Sequence, residues 1–528
     1  VDKDRFGTRF THPTPRVSEV DVLVIGAGPT GLTAAAEALR HGLSVRIIER
    51  KATRPPFSKA LVVHARTLEV FDTMGIADEV RSLGAPFSAL NVRRASGRRP
   101  VRVDLIDLPW GDTAYPYWLS VPQYDTERVL EALLARLGGE VEWSSTLHEL
   151  TDYGNVVHAV VQRGNERETV RARWVVGCDG GRSTVRNLAG LTLSRTDSGT
   201  TFLLADAKST CNLIEDEGYV YLGGDGVLLI VPMPEPGRWR LIAHLPSAAR
   251  RTDHGTPTID AASLNQLVLR RAGIEFGAHD VSWTSQFTLS HGVANHFRKG
   301  RLFVAGDAAH IHSPVGGQGL NTGVQDAHNL LWKLAEAETL PTPQSEALLD
   351  SYDAERCGTA GPMVRGVARM TSVLASKRRI IRSALGFLAP RALSTQGVQS
   401  RLGRGVGMLN LSYPSPTGAT TRTTNHLRSG QRLPNPELRS GGRLFDRIRW
   451  AGYGWVVFER GIGTPRDPDA GYWQGLPVVF LSHEELEEPT EVLRENRVVL
   501  VRPDQYVAAV GDTPESLQSY TPQGILLS

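Results

Sequence analysis

The fold is decided by the stretch Val20–Arg50, VDVLVIGAGPTGLTAAAEALRHGLSVRIIER. Val20–Ile25 is a near-continuous apolar run, the pattern of a strand buried on both faces of a parallel sheet. Gly26, Gly28 and Gly31 follow at G-x-G-x-x-G spacing. Thr30–His41 is rich in Ala and Leu and predicts a helix, which Gly42 ends. Ser44–Ile48 predicts a second strand, with Glu49 at its C-terminal end. The glycine pattern alone is a weak signal. Between a strand and a helix, with an acid after the second strand, it predicts a dinucleotide-binding β-α-β unit. The glycines let the backbone approach a pyrophosphate, and the helix start offers free N–H groups.

The rest of the chain sets bounds on that reading. It has 528 residues, with 41% hydrophobic and 22% charged, ordinary values for a globular protein. Its net charge of +3 is too small to argue for nucleic acid or a membrane surface. No apolar run approaches the roughly 18 residues of a membrane span. Residues 1–19 lack the apolar core of a signal peptide and are expected to be a polar leader. The three cysteines, Cys178, Cys211 and Cys357, are widely spaced, so a cytoplasmic protein without a disulfide framework is expected.

Further strands are predicted at Arg173–Gly177 (RWVVG) and Arg301–Ala305 (RLFVA), and both run into a glycine–acid pair. Those pairs are Asp179-Gly180, within CDGGRSTVR, and Gly306-Asp307. From about 195 to 290 the sequence changes to hairpin-like strands with Gly and Pro turns, which predicts an inserted antiparallel sheet. Residues 319–375 are mostly helical. A helical linker region spans 376–430, with basic helical segments and a Ser/Pro/Thr/Gly-rich connection, and 431–528 has the alternation of a small separate α/β domain. The predicted class is therefore α/β plus antiparallel β. One domain combines 20–194 with 291–375, a β domain spans 195–290, and segments near 85–120 are candidates to join the latter.

The segment Gly306–Leu330, GDAAHIHSPVGGQGLNTGVQDAHNL, holds five glycines, three histidines and two aspartates. A metal reading is disfavoured. His310 and His312 at i and i+2 would face opposite sides of a strand, and no cysteine or third histidine sits at ligand spacing. The glycines Gly316, Gly317 and Gly319, ahead of a helix expected to start near Leu320, could by themselves suggest a phosphate loop. The pattern GRGVG at 403–407 has no apolar strand before it and is set aside.

Taken together, the fingerprint at 26–31, Asp179-Gly180, Gly306-Asp307, ARTLEVF with Arg66 and VPQYDTERVLEALL with Gln123 resemble the FAD-dependent class A flavoprotein monooxygenases. That is the family of p-hydroxybenzoate hydroxylase and phenol hydroxylase. The finer texture of 306–335 is similar to the branch that oxidises aromatic polyketides and antibiotics, which has Baeyer–Villiger members of the mithramycin-pathway type.

The resemblance implies a Rossmann-like FAD domain, an inserted substrate-binding sheet and a C-terminal thioredoxin-like domain at 431–528. That last domain has no cysteine and so no dithiol chemistry. It further implies that Gly26, Gly28 and Gly31 hold the pyrophosphate, Glu49 the ribose and Arg50 the adenine side. Arg66 and Gln123 would meet the phosphates and ribityl region, and Gly306-Asp307 the ribityl chain. Pro314, Gly316, Gly319, Leu320 and Asn321 would line the isoalloxazine, and Asp179 would serve FAD and the approach of NADPH or NADH. Arg54 and Lys59 follow Glu49, either near the flavin or as solvated loop charges. Arg54 is the candidate catalytic residue. Trp110, Tyr117 and Met233 are candidates for the wall of a pocket for a polycyclic aromatic substrate, with core packing as the alternative for the aromatics. A single Rossmann unit implies that NAD(P)H visits transiently. One oxygen of O2 would enter the substrate through a flavin C4a-peroxide, by ring hydroxylation or Baeyer–Villiger insertion. A dehydrogenase or oxidase that never oxygenates its substrate is the alternative, and a homodimer is compatible with the chain.

Overall fold

A computed structural model describes residues 17–57, 59–94, 101–223, 226–245, 259–311, 316–374, 396–414, 427–448, 453–459, 472–473, 476–487 and 497–511. The first sheet is built around the strand Val17–Ile25, in which Val22, Leu23 and Val24 are fully excluded from solvent. Its parallel neighbours are Glu166–Gly177 on one side and Val45–Glu49 on the other. Leu302–Val304 continues the sheet beyond Glu166–Gly177, and Val141–Trp143 continues it beyond Val45–Glu49. Ile25 is in register with Gly177 and Ile48, and Gly177 with Val304. Four strands therefore end at one level. Glu49, at the end of its strand, and the loops carrying Gly26, Asp179 and Gly306-Asp307 share one rim, where open α/β sheets place their ligands.

The helix Pro29–Arg40 starts one residue earlier than the sequence pattern predicts, because proline suits the first helical turn. It packs against Gln318–Ala337, and the approach is close. A Cβ on Gly323 would come 3.2 Å from the Gly306 Cα, and one on Gly306 would come 3.2 Å from the Thr30 Cβ. The lower part of this contact is polar: Glu37 is buried and takes hydrogen bonds from Arg40 at 2.8 Å, with the His328 imidazole 3.0 Å away.

The second sheet has eight strands. In spatial order they are His310–Ile311, Ala278–Ala294, Leu193–Ser209, Arg238–Leu245, Gly226–Pro232, Glu217–Gly223, Ala89–Arg94 and Val101–Asp104. The inserted unit is thus wider than 195–290. Ala89–Arg94 joins it in parallel with Glu217–Gly223, and His310–Ile311 closes the other edge. The strands Leu193–Ser209 and Ala278–Ala294 have 17 residues each, enough to reach from the rim of the first sheet into the second. The helix Ala261–Ala272 lays Leu264 and Val268 on this sheet, capped by Asp260, which accepts from the Ser263 amide at 2.9 Å.

The C-terminal sheet runs Tyr472–Trp473, Leu476–Ser482, Gly454–Glu459, Arg497–Val501, Val507–Gly511. Leu476–Ser482 and Gly454–Glu459 are parallel, and the last two strands continue as an antiparallel pair. This unit is docked, not tethered. Trp332 and Leu348 form one apolar cluster with Tyr453, Val498, Leu500 and Ala509. Beside it lies a buried ionic cluster. Arg502 donates to Glu355 at 2.7 Å and to Asp504 at 2.6 Å, Lys333 donates to Glu355 at 2.8 Å, and Asn329 donates to both Glu355 and Asp504. Charges buried this deeply persist only when paired.

Candidate active site

The glycine loop separates into glycines the fold needs and one it does not. A Cβ on Gly26, whose φ is +103°, would come 2.8 Å from the Cys178 carbonyl carbon, so this glycine lets neighbouring strand ends touch. A Cβ on Gly31 would strike the Gly26 carbonyl. Gly28 has φ −78° and nothing within 4 Å of a Cβ position. No protein atom requires glycine there, and the open space lies at the start of the Pro29–Arg40 helix, where a pyrophosphate would sit.

Glu49 stands across from this loop. One carboxylate oxygen accepts the Ala27 amide at 3.0 Å and the other accepts the Lys51 amide at 3.0 Å. Arg50 is exposed beside it. Asp179 uses Oδ2 to accept the Thr184 and Val185 amides at 2.6 and 3.2 Å, whereas its buried Oδ1 has no partner. Arg186 joins two rim loops, donating to the carbonyls of Gly181 at 3.0 Å and Ala308 at 2.9 Å. Asp307 is exposed between the buried Gly306 and Ala308. Gln123 receives the Ala60 amide at 3.4 Å and donates to Glu127 at 2.7 Å, at the start of the helix Gln123–Arg136.

A buried network that the motifs did not announce holds the Gly306-Asp307 turn. Asp326 accepts the Gly306 amide at 2.9 Å and the His310 Nε2 contact at 2.7 Å, and its second oxygen accepts from Arg356 at 2.7 Å. Burial raises the pKa of this carboxyl, but Arg356 and His310 override it and hold the group below its usual value. Arg356 also donates to the Tyr413 hydroxyl and the Thr322 carbonyl. His310 is thus a hydrogen-bonding residue, while His312 and Pro314 lie outside the described residues. The sequence signal for Asp326 was its helical spacing after the glycine turn. Nothing local announced Arg356, because it arrives from a different helix.

Several expected residues carry protein contacts of their own. Asn321 is fully buried, donates to the carbonyls of Val62 at 2.8 Å and Gly317 at 2.6 Å, and accepts the His64 amide at 2.8 Å, so its side-chain amide fastens the loop. Arg66 is buried and donates to Glu69 at 2.9 Å, to Gln505 at 2.9 Å and to the Asp504 carbonyl at 2.7 Å, whereas its buried Nε has no partner among the described residues. Trp110 is core: its indole donates to the Leu105 carbonyl at 2.7 Å, and a Cβ on Gly407 would come 3.1 Å from its ring. Of the GRGVG glycines, Gly407 makes room for the indole and Gly403 for the Pro109–Trp110 backbone. Arg54 is paired with Glu131.

The helix starts at Gln318, not near Leu320, with Gly316 and Gly317 both left-handed at φ +87° and +64°. Gly319 and Leu320 lie in its first turn, half-buried and buried respectively. Tyr117 is partly buried and Met233 is buried, and Ser120 donates to the Pro232 carbonyl at 2.7 Å. The loop after Glu49 also carries Phe57 against Trp283, rings stacked at 6.0 Å, and Lys59 over Phe287 at 5.1 Å. Sequence reasoning missed this aromatic row, since Phe57 is more than 200 residues from the strand that completes it.

The residues fit FAD. Gly28 leaves room for a pyrophosphate, Asp179 has an unused buried oxygen, and Asp307 is free at the sheet rim. Residues 19–367 match the FAD binding domain family, and the chain belongs to it. It is an FAD-dependent monooxygenase. It is 34% identical over 525 residues to the 6-methylpretetramide 4-monooxygenase of Streptomyces rimosus, covering 94% of this chain and 92% of that one. It is 32% identical over 505 residues to a 12-dehydrotetracycline 5-monooxygenase/anhydrotetracycline 6-monooxygenase of Streptomyces rimosus subsp. rimosus, covering 92% and 94%. Among solved structures it resembles the OxyS anhydrotetracycline hydroxylase from Streptomyces rimosus, with TM-score 0.75, 30% identity and coverage of 95% and 97%. No helix among the described residues is long and apolar enough to cross a membrane.

Proposed function

We propose that this enzyme inserts one oxygen of O2 into a polycyclic aromatic polyketide, with NADPH or NADH as reductant. The observation that carries the reading is the near full-length similarity to tetracycline-pathway oxygenases, joined to a rim that leaves polar groups free where FAD would lie. When bound, FAD supplies the redox chemistry, taking two electrons from the nicotinamide and activating O2.

The protein's own contribution is placement. Gly28 and the start of the Pro29–Arg40 helix would hold the pyrophosphate, Glu49 the ribose, Asp307 the ribityl chain, and the unused Asp179 oxygen a cofactor hydroxyl or amide. The first turn after Gly317, with its unpaired amides, would sit against the electron-rich edge of the ring. Phe57, Trp283 and Phe287, with Tyr117 and Met233, are the candidate wall for a flat apolar substrate between the two sheets. Arg54 would act only after leaving Glu131, by stabilising negative charge on the activated oxygen.

Both outcomes balance as substrate plus O2 plus NAD(P)H plus a proton giving oxygenated product, NAD(P)+ and water. In ring hydroxylation the oxygen enters a C–H bond, and in Baeyer–Villiger insertion it enters a C–C bond beside a ketone. The C-terminal sheet is read as thioredoxin-like because a parallel pair is continued by an antiparallel hairpin. Its buried contacts support a structural role for it.

The test is incubation with tetracyclic aromatic candidates, NADPH and 18O2. One labelled oxygen in the product is expected. Product oxidised without label would establish the non-oxygenating alternative.

A further inference from the structure

His64 is fully buried between two segments that approach from opposite sides. Its Nε2 is 2.9 Å from the carbonyl oxygen of Gly316, and its Nδ1 is 2.5 Å from that of Val406. A carbonyl oxygen only accepts, and a neutral imidazole carries one N–H. Both contacts can be hydrogen bonds only when the ring holds two protons. The Trp118 indole also donates to the Val406 oxygen at 2.7 Å, so that acceptor is served even without His64. The Gly316 carbonyl has no such second donor among the described contacts.

We propose that His64 is a proton-dependent positioning residue for the Gly316-Gly317 turn, its imidazolium spanning the carbonyls of Gly316 and Val406. The inference rests on the reading that this turn lies against the flavin. On losing one proton, the ring keeps one of the two carbonyls and presents a lone pair to the other. At 2.5 Å from the Val406 oxygen a lone pair is repelled, so the ring must shift, and the turn at Gly316 shifts with it.

The surroundings make the balance close. The helix whose last turn ends at Val406 directs carbonyls at the ring, which favours the cation. Burial disfavours it and lowers the pKa of His64, while the carbonyls of Val406, Gly316 and Gly317 oppose that shift. The side chains that meet the ring's environment are the Trp118 indole, edge-on at 5.4 Å, and the neutral amide of Asn321, which takes the His64 backbone N–H. No charged side chain among the described residues contributes to its titration. The group therefore responds to solvent protons or to movement of the turn, and not to an ion-pair partner.

The experiment is FAD affinity of the full chain, read by flavin fluorescence from pH 5 to 8.5, for wild type, His64→Gln and His64→Phe. An amide does not titrate in this range, and its N–H can donate to one of the two carbonyls at every pH. Wild type is expected to bind FAD about tenfold more weakly above the transition, the scale of one buried hydrogen bond. His64→Gln should be flat across the range, and His64→Phe should be weak throughout. Equal pH profiles for wild type and His64→Gln would overturn the proposal.

Should the variants not fold, the wild type still decides. With 15N-labelled histidine, one imidazole must gain its second proton in step with FAD affinity, and a buried neutral ring at every pH sinks the idea. Tight but pH-independent FAD binding would end this inference and leave the cofactor assignment standing. Failure to bind FAD at any pH would remove both.

Discussion

The Gly306 amide and the Asp326 carboxylate meet at 2.9 Å, 20 residues apart in the chain and shut off from water. This contact fixes the turn that exposes Asp307, and Arg356 neutralises it from the far side at 2.7 Å. Asp326→Asn would keep the shape but leave the guanidinium of Arg356 buried without its counter-charge. A loss of about 3–5 kcal/mol is expected, seen as a lower thermal midpoint and weaker FAD retention.

Gly28 and Gly26 should respond in opposite ways. The added methyl of Gly28→Ala meets no protein atom, so the stability of the FAD-free protein should change by less than about 0.5 kcal/mol. FAD affinity should fall about tenfold or more through lost phosphate contacts. Gly26→Ala places a Cβ against the Cys178 carbonyl at φ +103° and should destabilise the FAD-free protein itself by at least about 1–3 kcal/mol. Calorimetry beside flavin titration separates the two effects.

The ionic cluster that docks the C-terminal unit makes stability depend on pH at both ends. Burial raises the pKa of Glu355, but Arg502 and Lys333 outweigh it and hold the group at about 2 against a usual 4.5. Its contribution is complete above about pH 4.5 and is lost as pH falls towards 2. Lys333 works with the other sign. Burial pushes its pKa down from 10.5 to about 8, so the folded state sheds the proton before the unfolded chain does. Stability from this group rises between pH 8 and 10.5. Thermal midpoints measured against pH should show the alkaline rise in wild type and not in Lys333→Met.

Two tryptophans distinguish core from pocket. Trp110→Ala should cost about 3–5 kcal/mol of stability with KM unchanged in the surviving folded protein. Trp283 is half-buried and stacked on Phe57, so Trp283→Ala should raise KM about tenfold, with a stability loss near 1 kcal/mol.

Arg54 is paired with Glu131 on the helix Gln123–Arg136. If it serves the oxygenation step, Arg54→Ala should lower kcat about a hundredfold while FAD affinity changes less than threefold. Unchanged turnover at saturating substrate would reduce it to a surface ion pair.

The motifs at residues 26–31, 179–180 and 306–307 were legible in the sequence because each is a local event. An apolar strand ends, and a glycine or an acid follows within two or three residues. Strand register then carries them to one rim, since Ile25 is level with Ile48 and Gly177, and Gly177 with Val304, in neighbouring parallel strands. The inserted sheet was legible as hairpins, but its outer strands were not fixed by sequence. Ala89–Arg94 pairs with a segment more than 120 residues away.

What a side chain does at the rim was decided only by tertiary structure. Arg66 and Asn321 carry the right groups for a cofactor, and both also hold buried protein partners that local sequence does not announce. A buried polar group takes whichever partner the fold brings within 3 Å, because leaving it unpaired costs more than any single contact returns. Trp110 and the glycines at 403 and 407 were matched in the same way, by a fit across about 300 residues that no local pattern encodes. The sequence determined the class of fold and the kind of cofactor. Packing among distant segments determined which of the plausible residues remain free to meet it.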